Sequence, residues 1–231
     1  MAAAKHIGIV AVSYEGAALC YRTICNEGRD YLGPFQHPEV TIHGFSLSEY
    51  HQHSNAGDWA GVGELLLQSA ERLAAGGAEL LVCPDNTVHV AIDELLDRAP
   101  QPWLHIADEV ASAAEAAGYQ RLGLLGTRPL MEGPVYPRKL DPRGIEWLTP
   151  ETDARQRVHR FIVDELIYGV ITDEARAYFQ GLIEVFADQG CEAVILGCTE
   201  IPLLIQPEDS ALPTLDSTRL LARAALREAT R

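Results

Sequence analysis

The chain has 231 residues, enough for one large domain or for two lobes of about 100 residues each. Hydrophobic residues make up 47% of it and aromatic residues only 7%, so we expect an aliphatic core of the α/β kind rather than a disordered chain. The net charge of −15 disfavours nucleic acids and anionic membranes as partners, because both are polyanions.

We expect no signal peptide, because no long apolar run follows the first residues, and no apolar stretch reaches the roughly 18 residues of a membrane span. It contains five cysteines, an odd number, and a cytoplasmic protein with reduced thiols is the simplest interpretation. No cysteine or histidine spacing is typical of zinc. His51 and His53, with His43 upstream, come nearest to a metal set, but we expect a polar loop there and no metal.

Apolar runs bounded by turn residues predict the elements of the first half of the chain. In chain order these are strand 7–12, helix 17–24, a polar loop at 26–38, strand 40–45, a polar loop and helix start at 48–58, helix 59–75, strand 80–83 and helix 87–99. Two prolines, Pro100 and Pro102, then break the pattern.

The same kinds of element return in the second half. In chain order they are helix 108–117, strand 121–125, strand 144–148, helices 152–168 and 172–189, strand 193–196, strand 213–216 and helix 218–229. Ser217 is placed to cap the last helix.

Strands that alternate with helices predict a parallel α/β fold. Because strand, polar turn and helix recur about half a chain apart, we expect two similar lobes, each with a parallel four-stranded sheet flanked by helices. The lobes should be related by a pseudo-twofold axis, with the active site in the cleft between them. The predicted first lobe comprises 1–103 plus 212–231, and the second comprises 104–211.

Two polar turns carry the candidate chemistry. Cys198 and Thr199 follow the apolar strand 193–196, and Asp85-Asn86-Thr87 follows the apolar strand 80–83. Ligands of open α/β sheets bind at the carboxyl ends of the strands. Two acid/base groups on opposite faces of one carbon can invert it, one removing a proton and the other returning one. A helix N-terminus after Cys198 would favour its thiolate.

Simpler interpretations exist for these residues. A cysteine at a strand end can be a small apolar core residue, so Cys198 alone is a weak signal. His89 can either pack beneath the first turn or help to form a pocket, and the sequence leaves both open. A structural role is expected for the other cysteines, Cys20, Cys25, Cys83 and Cys191.

Several segments together resemble one known family. They are Ile7-Gly8-Ile9, Leu104-His105-Ile106-Ala107-Asp108, Leu124-Leu125-Gly126-Thr127-Arg128, Arg176-Ala177-Tyr178-Phe179 and, above all, Gly197-Cys198-Thr199-Glu200-Ile201. Over nearly its whole length the chain resembles the aspartate/glutamate racemase superfamily, which comprises cofactor-independent amino-acid racemases. The resemblance therefore implies an isomerase that needs no pyridoxal phosphate or other cofactor.

The resemblance also implies roles for particular residues. The usual first turn of the family is Cys-Asn-Thr followed by a histidine, and here Asp85 takes the place of the cysteine, although some members carry threonine there. The acid/base roles fall on Cys198 and Asp85. Substrate binding falls on Asn86, Thr87, Thr199, Glu200 and, for a second carboxylate, Arg157. Ser13 and Tyr14 replace a Gly-Gly-Met type of loop and are expected to line the pocket.

Three functions are compatible with this pattern. The first is a racemase or epimerase of an acidic amino acid that uses Cys198 and Asp85 as its two bases. The second is a decarboxylase, lyase or cis–trans isomerase of a small dicarboxylate that uses the single thiol of Cys198. The third is a non-catalytic small-molecule binder. In each case the expected partners are a small carboxylate and further copies of the chain, as a homodimer or higher homo-oligomer.

Overall fold

The computed structural model describes residues 4–231. These residues divide into two compact units, one running up to Glu109 and including Thr218–Arg231, the other Val110–Ser217. The two divisions follow residues 109 and 217, and each lies six residues after a predicted lobe boundary, at 103 and 211. The first division falls within the helix Ile106–Ala117, and the second falls after the first residue of the last helix.

Each unit contains one four-stranded, wholly parallel sheet, which confirms the predicted fold class. The first sheet has the order β2-β1-β3-β4 and the second has the order β6-β5-β7-β8, so β3 and β7 hold the same place in their sheets. The strands are β1 (Ile7–Ala11), β2 (Val40–Gly44), β3 (Leu80–Val82), β4 (Trp103–Leu104), β5 (Arg121–Leu125), β6 (Glu146–Leu148), β7 (Ala193–Leu196) and β8 (Thr214–Asp216).

Helices follow most strands, as parallel pairing requires. They are α1 (Tyr14–Leu32), α2 (Leu47–Asn55), α3 (Trp59–Ala75), α4 (His89–Leu95), α5 (Ile106–Ala117), α6 (Arg128–Met131), α7 (Pro137–Leu140), α8 (Thr152–Asp164), α9 (Asp173–Asp188), α10 (Ile201–Leu204) and α11 (Ser217–Ala229). Within residues 4–231, no helix combines the length and the apolar character that a membrane span needs.

The two central strands of the first sheet, β1 and β3, are buried on both faces, and their alternate residues divide between two cores. Val10 of β1 and Leu81 of β3 belong to the core with α3 and α4. Ile9 and Val82 belong to the opposite core, which also contains apolar residues of α1 and α11. This two-sided burial explains why β1 and β3 are nearly continuous apolar runs.

The second sheet packs closely against α9. Gly123, in the middle of β5, lies directly beneath the ring of Phe186, and a Cβ on this residue would overlap the ring. Phe186 and Leu124 are both almost fully buried. The glycine is therefore required by close packing rather than by a turn.

The predicted loop at 26–38 was wrong over its first part, because α1 continues to Leu32. The polar residues that suggested a loop lie mostly on the solvent side of this helix, whereas Gly28 is buried against His37. The helix ends at Gly33, whose φ of 100° is open to glycine but not to most residues.

The polar stretch at 48–58 is also more ordered than predicted. It forms α2, which begins after Ser46 in a capping box with Glu49. His51 and His53 therefore lie on a helix, and His53 Nδ1 is 2.7 Å from Asp58 Oδ2. At the other end of the chain, Ser217 is the first residue of α11 rather than the residue before it.

Candidate active site

The turn after β3 is organised by the side chain of Asp85. Its Oδ1 accepts hydrogen bonds from the backbone N–H groups of Thr87, at 3.1 Å, and Val88, at 3.4 Å. Aspartate commonly orders a turn in this way. Asp85 is half-buried and Asn86 is buried, so this carboxylate lies at the boundary between core and solvent.

His89 also holds the Asp85 turn in place, and the protonation state of its ring follows from its hydrogen-bond partners. Nδ1 is 2.7 Å from the backbone carbonyl of Asp85, which can only accept, so Nδ1 carries the proton. The backbone N–H of Ile106 donates to Nε2 at 3.2 Å, so Nε2 carries none. The ring is fully buried. His89 is thus a neutral link between the Asp85 turn and the start of α5, and this geometry favours the packing interpretation of the two that the sequence left open.

Two further titratable side chains lie in the core behind this turn. Burial raises the pKa of the Cys83 thiol well above its usual value, and the negative charge of Asp85 adds to that effect. Burial likewise raises the pKa of Tyr50 to about 12. Both groups stay protonated at neutral pH, so Cys83 has the inert, structural character predicted for it.

The turn after β7 presents Cys198 at the equivalent strand end. Cys198 is half-buried, whereas Thr199 and Glu200 are 4% and 3% exposed. The Cys198 thiol donates to Glu200 Oε2 with a distance of 2.9 Å from Sγ, and the Thr199 hydroxyl donates to the same oxygen at 2.8 Å. A buried carboxylate with two side-chain donors therefore lies directly behind the thiol.

Close backbone contact joins this turn to the end of β5. The N–H of Gly197 donates to the carbonyl of Leu125 at 2.7 Å, and a Cβ on Gly126 would lie 3.2 Å from the carbonyl oxygen of Gly197. Thr127 follows at the same edge, between β5 and α6. The sequence prediction did not include Thr127 in the site, although a Gly-Thr pair directly after a buried strand was a usable signal.

The hydroxyl of Ser217 holds the end of β7 from the other side. It donates to the backbone carbonyl of Leu196 at 2.9 Å, which ties the start of α11 to the strand that precedes Cys198. Because backbone bonds from β5 and a side-chain bond from α11 both reach this strand end, the Cys198 turn is anchored to two neighbouring elements.

The remaining predicted residues lie on other elements. Ser13 follows β1, which neighbours β3, and its hydroxyl accepts from the Gly16 N–H at 3.3 Å as the N-cap of α1. Tyr14 is 59% exposed. Arg157 lies on α8, where Nη2 is 2.9 Å from Glu174 Oε1 and the guanidinium carbon is 4.2 Å from the ring centroid of Tyr178.

The structure thus groups the predicted residues into two turns. Asp85, Asn86 and Thr87 form one, and Cys198 and Thr199 form the other, together with Glu200. Among residues 4–231 no three histidine, cysteine or carboxylate side chains are grouped so that they could hold a metal ion. The first turn thus carries a half-buried carboxylate and the second a half-buried thiol, and both groups are able to exchange protons.

Known proteins resemble this chain in sequence and in fold. The model of the Asp/Glu/Hydantoin racemase family matches residues 7–225. A relative is the broad specificity amino-acid racemase RacX of Bacillus subtilis, which is 24% identical over 161 residues, 70% of this chain and 69% of RacX. The chain spans between 52% and 59% of the length of the glutamate racemases that it matches.

Solved structures give a closer match. A candidate Asp/Glu racemase from Yersinia pestis is 34% identical with a TM-score of 0.90, and the match covers 98% of this chain and 100% of that protein. An aspartate racemase homologue from Pyrococcus horikoshii is 28% identical with a TM-score of 0.85 over the same shares of the two chains. Because the family model covers almost the entire sequence, the chain belongs to the Asp/Glu/Hydantoin racemase family.

Proposed function

We propose that this protein racemises or epimerises a free amino acid, with an acidic amino acid as the first candidate, and that Asp85 and Cys198 are its two acid/base groups. One observation carries the proposal. β3 and β7 hold the same place in two sheets of identical strand order, and each is followed by a turn with a proton-transfer group and a threonine. A pair of such groups is what inversion of a carbon through proton exchange needs.

The proposed reaction transfers two protons and needs no cofactor. In one direction the Cys198 thiolate takes the α-proton, the C–H bond breaks, and its electron pair remains on the α-carbon and in the adjacent carboxylate. A protonated Asp85 then donates its proton to the opposite face. In the other direction Asp85 is the base and the Cys198 thiol is the acid. The proposal requires both groups to reach one α-carbon from opposite faces in the loaded enzyme.

The α-carboxylate should be bound by donors of the two turns. Asn86 offers a buried amide, and the turns offer backbone N–H groups, which stabilise the charge that develops when the α-proton leaves. The hydroxyl of Thr199 has a single proton and donates it to Glu200. We therefore expect Thr199 to bind the substrate through its backbone N–H or by accepting from the substrate ammonium, and Thr87 to supply the hydroxyl donor.

An acidic substrate also needs a partner for its second carboxylate, and Arg157 is the proposed one. Its present partner Glu174 is an exposed side chain, and exposed ion pairs contribute only about 0–1 kcal/mol. A substrate carboxylate could displace Glu174 at little cost while the stacking on Tyr178 holds the guanidinium in place. Tyr14, which is largely exposed, and Ser13 are proposed to line the pocket on the other side.

The test is incubation of the enzyme with single enantiomers of aspartate and glutamate in D₂O, with alanine and lysine for comparison. We expect deuterium at the α-carbon of both enantiomers. Cys198→Ala should reduce exchange at least about 100-fold, the usual size of an acid/base contribution. Cys25→Ala, which changes a partly exposed cysteine on α1, is the matched control and should retain exchange. No exchange with any amino acid would refute the proposal.

A second function is favoured by the hydrogen bonds of Asp85. Oδ1 already accepts from two backbone N–H groups, which is the pattern of a residue that orders a turn. If that is the whole role of Asp85, Cys198 is the single acid/base group. A decarboxylase, lyase or cis–trans isomerase of a small dicarboxylate would suit that arrangement. Release of carbon dioxide from a substituted malonate, or conversion of maleate, in the absence of racemisation would establish it.

Two further properties belong to the proposal. All five cysteines are free thiols, which fits a protein of the reducing cytoplasm. We also propose a homodimer or higher homo-oligomer, which light scattering on the purified protein measures directly; a monomeric mass at working concentration would contradict it.

A further inference from the structure

Glu200 is the most deeply buried carboxylate in the Cys198 turn. Only 3% of the residue is exposed, and both side-chain donors that reach its Oε2 come from the two residues before it. A buried carboxylate has lost its hydration and needs such donors. A buried anion is also poorly suited to bind an anionic substrate, because the two would repel each other. Its position points to a role toward the thiol instead.

The Cys198–Glu200 contact allows the proton to lie on either atom. The distance between Sγ and Oε2 is 2.9 Å, within the range of an ordinary O–H···O bond although sulfur is the larger atom. When the S–H bond breaks and an O–H bond forms on Oε2, the pair keeps one proton and one negative charge. A thiolate therefore arises without release of a proton to solvent and without a change in net charge.

We propose that Glu200 is a positioning residue that acts through Cys198, taking the thiol proton and thereby preparing the thiolate for the substrate α-proton. This inference rests on Cys198 as an acid/base group in the proposed function. The Thr199 hydroxyl donates to the same Oε2 and fixes the position of that oxygen beside the sulfur.

Removal of the carboxylate should produce two opposite effects. In Glu200→Gln no like charge opposes ionisation of Cys198 to solvent, so more thiolate forms at a given pH. The same variant has no internal acceptor for the proton when substrate covers the thiol, so catalysis slows. A residue with a purely structural role would not increase thiol reactivity and reduce turnover together.

The first measurement is the pH dependence of Cys198 alkylation by iodoacetamide, followed peptide by peptide by mass spectrometry. We expect the alkylation midpoint of Glu200→Gln to lie about one to three pH units below that of the wild type, the size of shift that one adjacent charge causes. Glu208→Gln makes the same chemical change at an exposed position of the same unit and should leave the midpoint unchanged. An unchanged or raised midpoint in folded Glu200→Gln would overturn the proposal.

The second measurement is α-proton exchange in D₂O. We expect a loss of at least about tenfold in Glu200→Gln, below the range of a direct acid/base residue because Glu200 acts through Cys198. If Glu200→Gln does not fold, Glu200→Asp replaces it: the carboxylate withdraws by one methylene, and the midpoint should fall in the same direction by less. Exchange equal to the wild type in the folded variant would contradict the proposal.

Alkylation does not depend on the substrate, so the two ideas can fail separately. A wild-type protein that racemises nothing, but whose Cys198 responds to Glu200→Gln as predicted, would refute the proposed function and support the pairing. Normal racemisation, together with a Cys198 alkylation midpoint that Glu200→Gln does not change, would support the proposed function and refute the pairing.

Discussion

Substitution of Asp85 by asparagine and by alanine separates its two roles. The carboxylate orders the turn after β3 through the bonds from Thr87 and Val88, and it is also the proposed acid/base group. Asparagine keeps an acceptor oxygen in the Oδ1 position but is neither an acid nor a base near neutral pH. Alanine removes both the acceptor and the acid/base group.

The two bonds set the expected loss of stability. The bond from Thr87, at 3.1 Å, has good length, and the bond from Val88, at 3.4 Å, is weak. Loss of a side-chain acceptor of this kind costs about 1–2 kcal/mol. For a chain of this size, 1 kcal/mol lowers the melting temperature by about 2–4 °C. We therefore expect Asp85→Ala to melt a few degrees below the wild type and Asp85→Asn to melt close to it.

Activity should respond differently from stability. Both variants lose one of the two proposed acid/base groups, so conversion of one enantiomer into the other in D₂O, followed by polarimetry, should fall about 100-fold or more in each. Calorimetry measures the melting temperatures. Asp85→Cys, which restores the residue that the family usually carries here, should recover part of the activity. Full activity in Asp85→Asn would refute the two-base mechanism and leave Asp85 as a turn residue.

Two predictions concern the scaffold. Gly123→Ala would place a methyl group that overlaps the ring of Phe186 and should destabilise the protein by about 1–3 kcal/mol in urea unfolding. The second substitution Phe186→Leu should restore part of that stability. An unchanged urea midpoint in Gly123→Ala would contradict the packing argument. His43 lies between Ser69 and Arg72, and burial, followed by the charge of Arg72, lowers its pKa. The unfolded chain then binds more protons than the folded one, so the stability that His43 contributes is lost as the pH falls below about 6.5. In His43→Gln the urea midpoint should therefore depend less steeply on pH in that range. An equal slope in the two proteins would refute this.

Much of the scaffold could be predicted because its signals are local. Strands 121–125 and 193–196 are short apolar runs between turn residues, and the structure has β5 and β7 at the same residues. α1 was less predictable. Its second half is rich in polar residues, and the packing that keeps it helical, such as Gly28 against His37, involves a residue outside the helix. β4 has two residues and exists because it pairs with β3, so it had no signal of its own.

The sequence by itself determined which residues follow the buried strands, because apolar periodicity and turn residues are properties of neighbours in the chain. It thereby placed Asp85 and Cys198 at strand ends. Only the tertiary structure decided what their side chains contact. The proton on Nδ1 of His89 depends on the carbonyl of Asp85 and the N–H of Ile106, which meet through the fold. Glu200 follows Cys198 by two residues in the chain, which does not determine where its carboxylate points. The carboxylate contacts the thiol rather than solvent because the turn is buried.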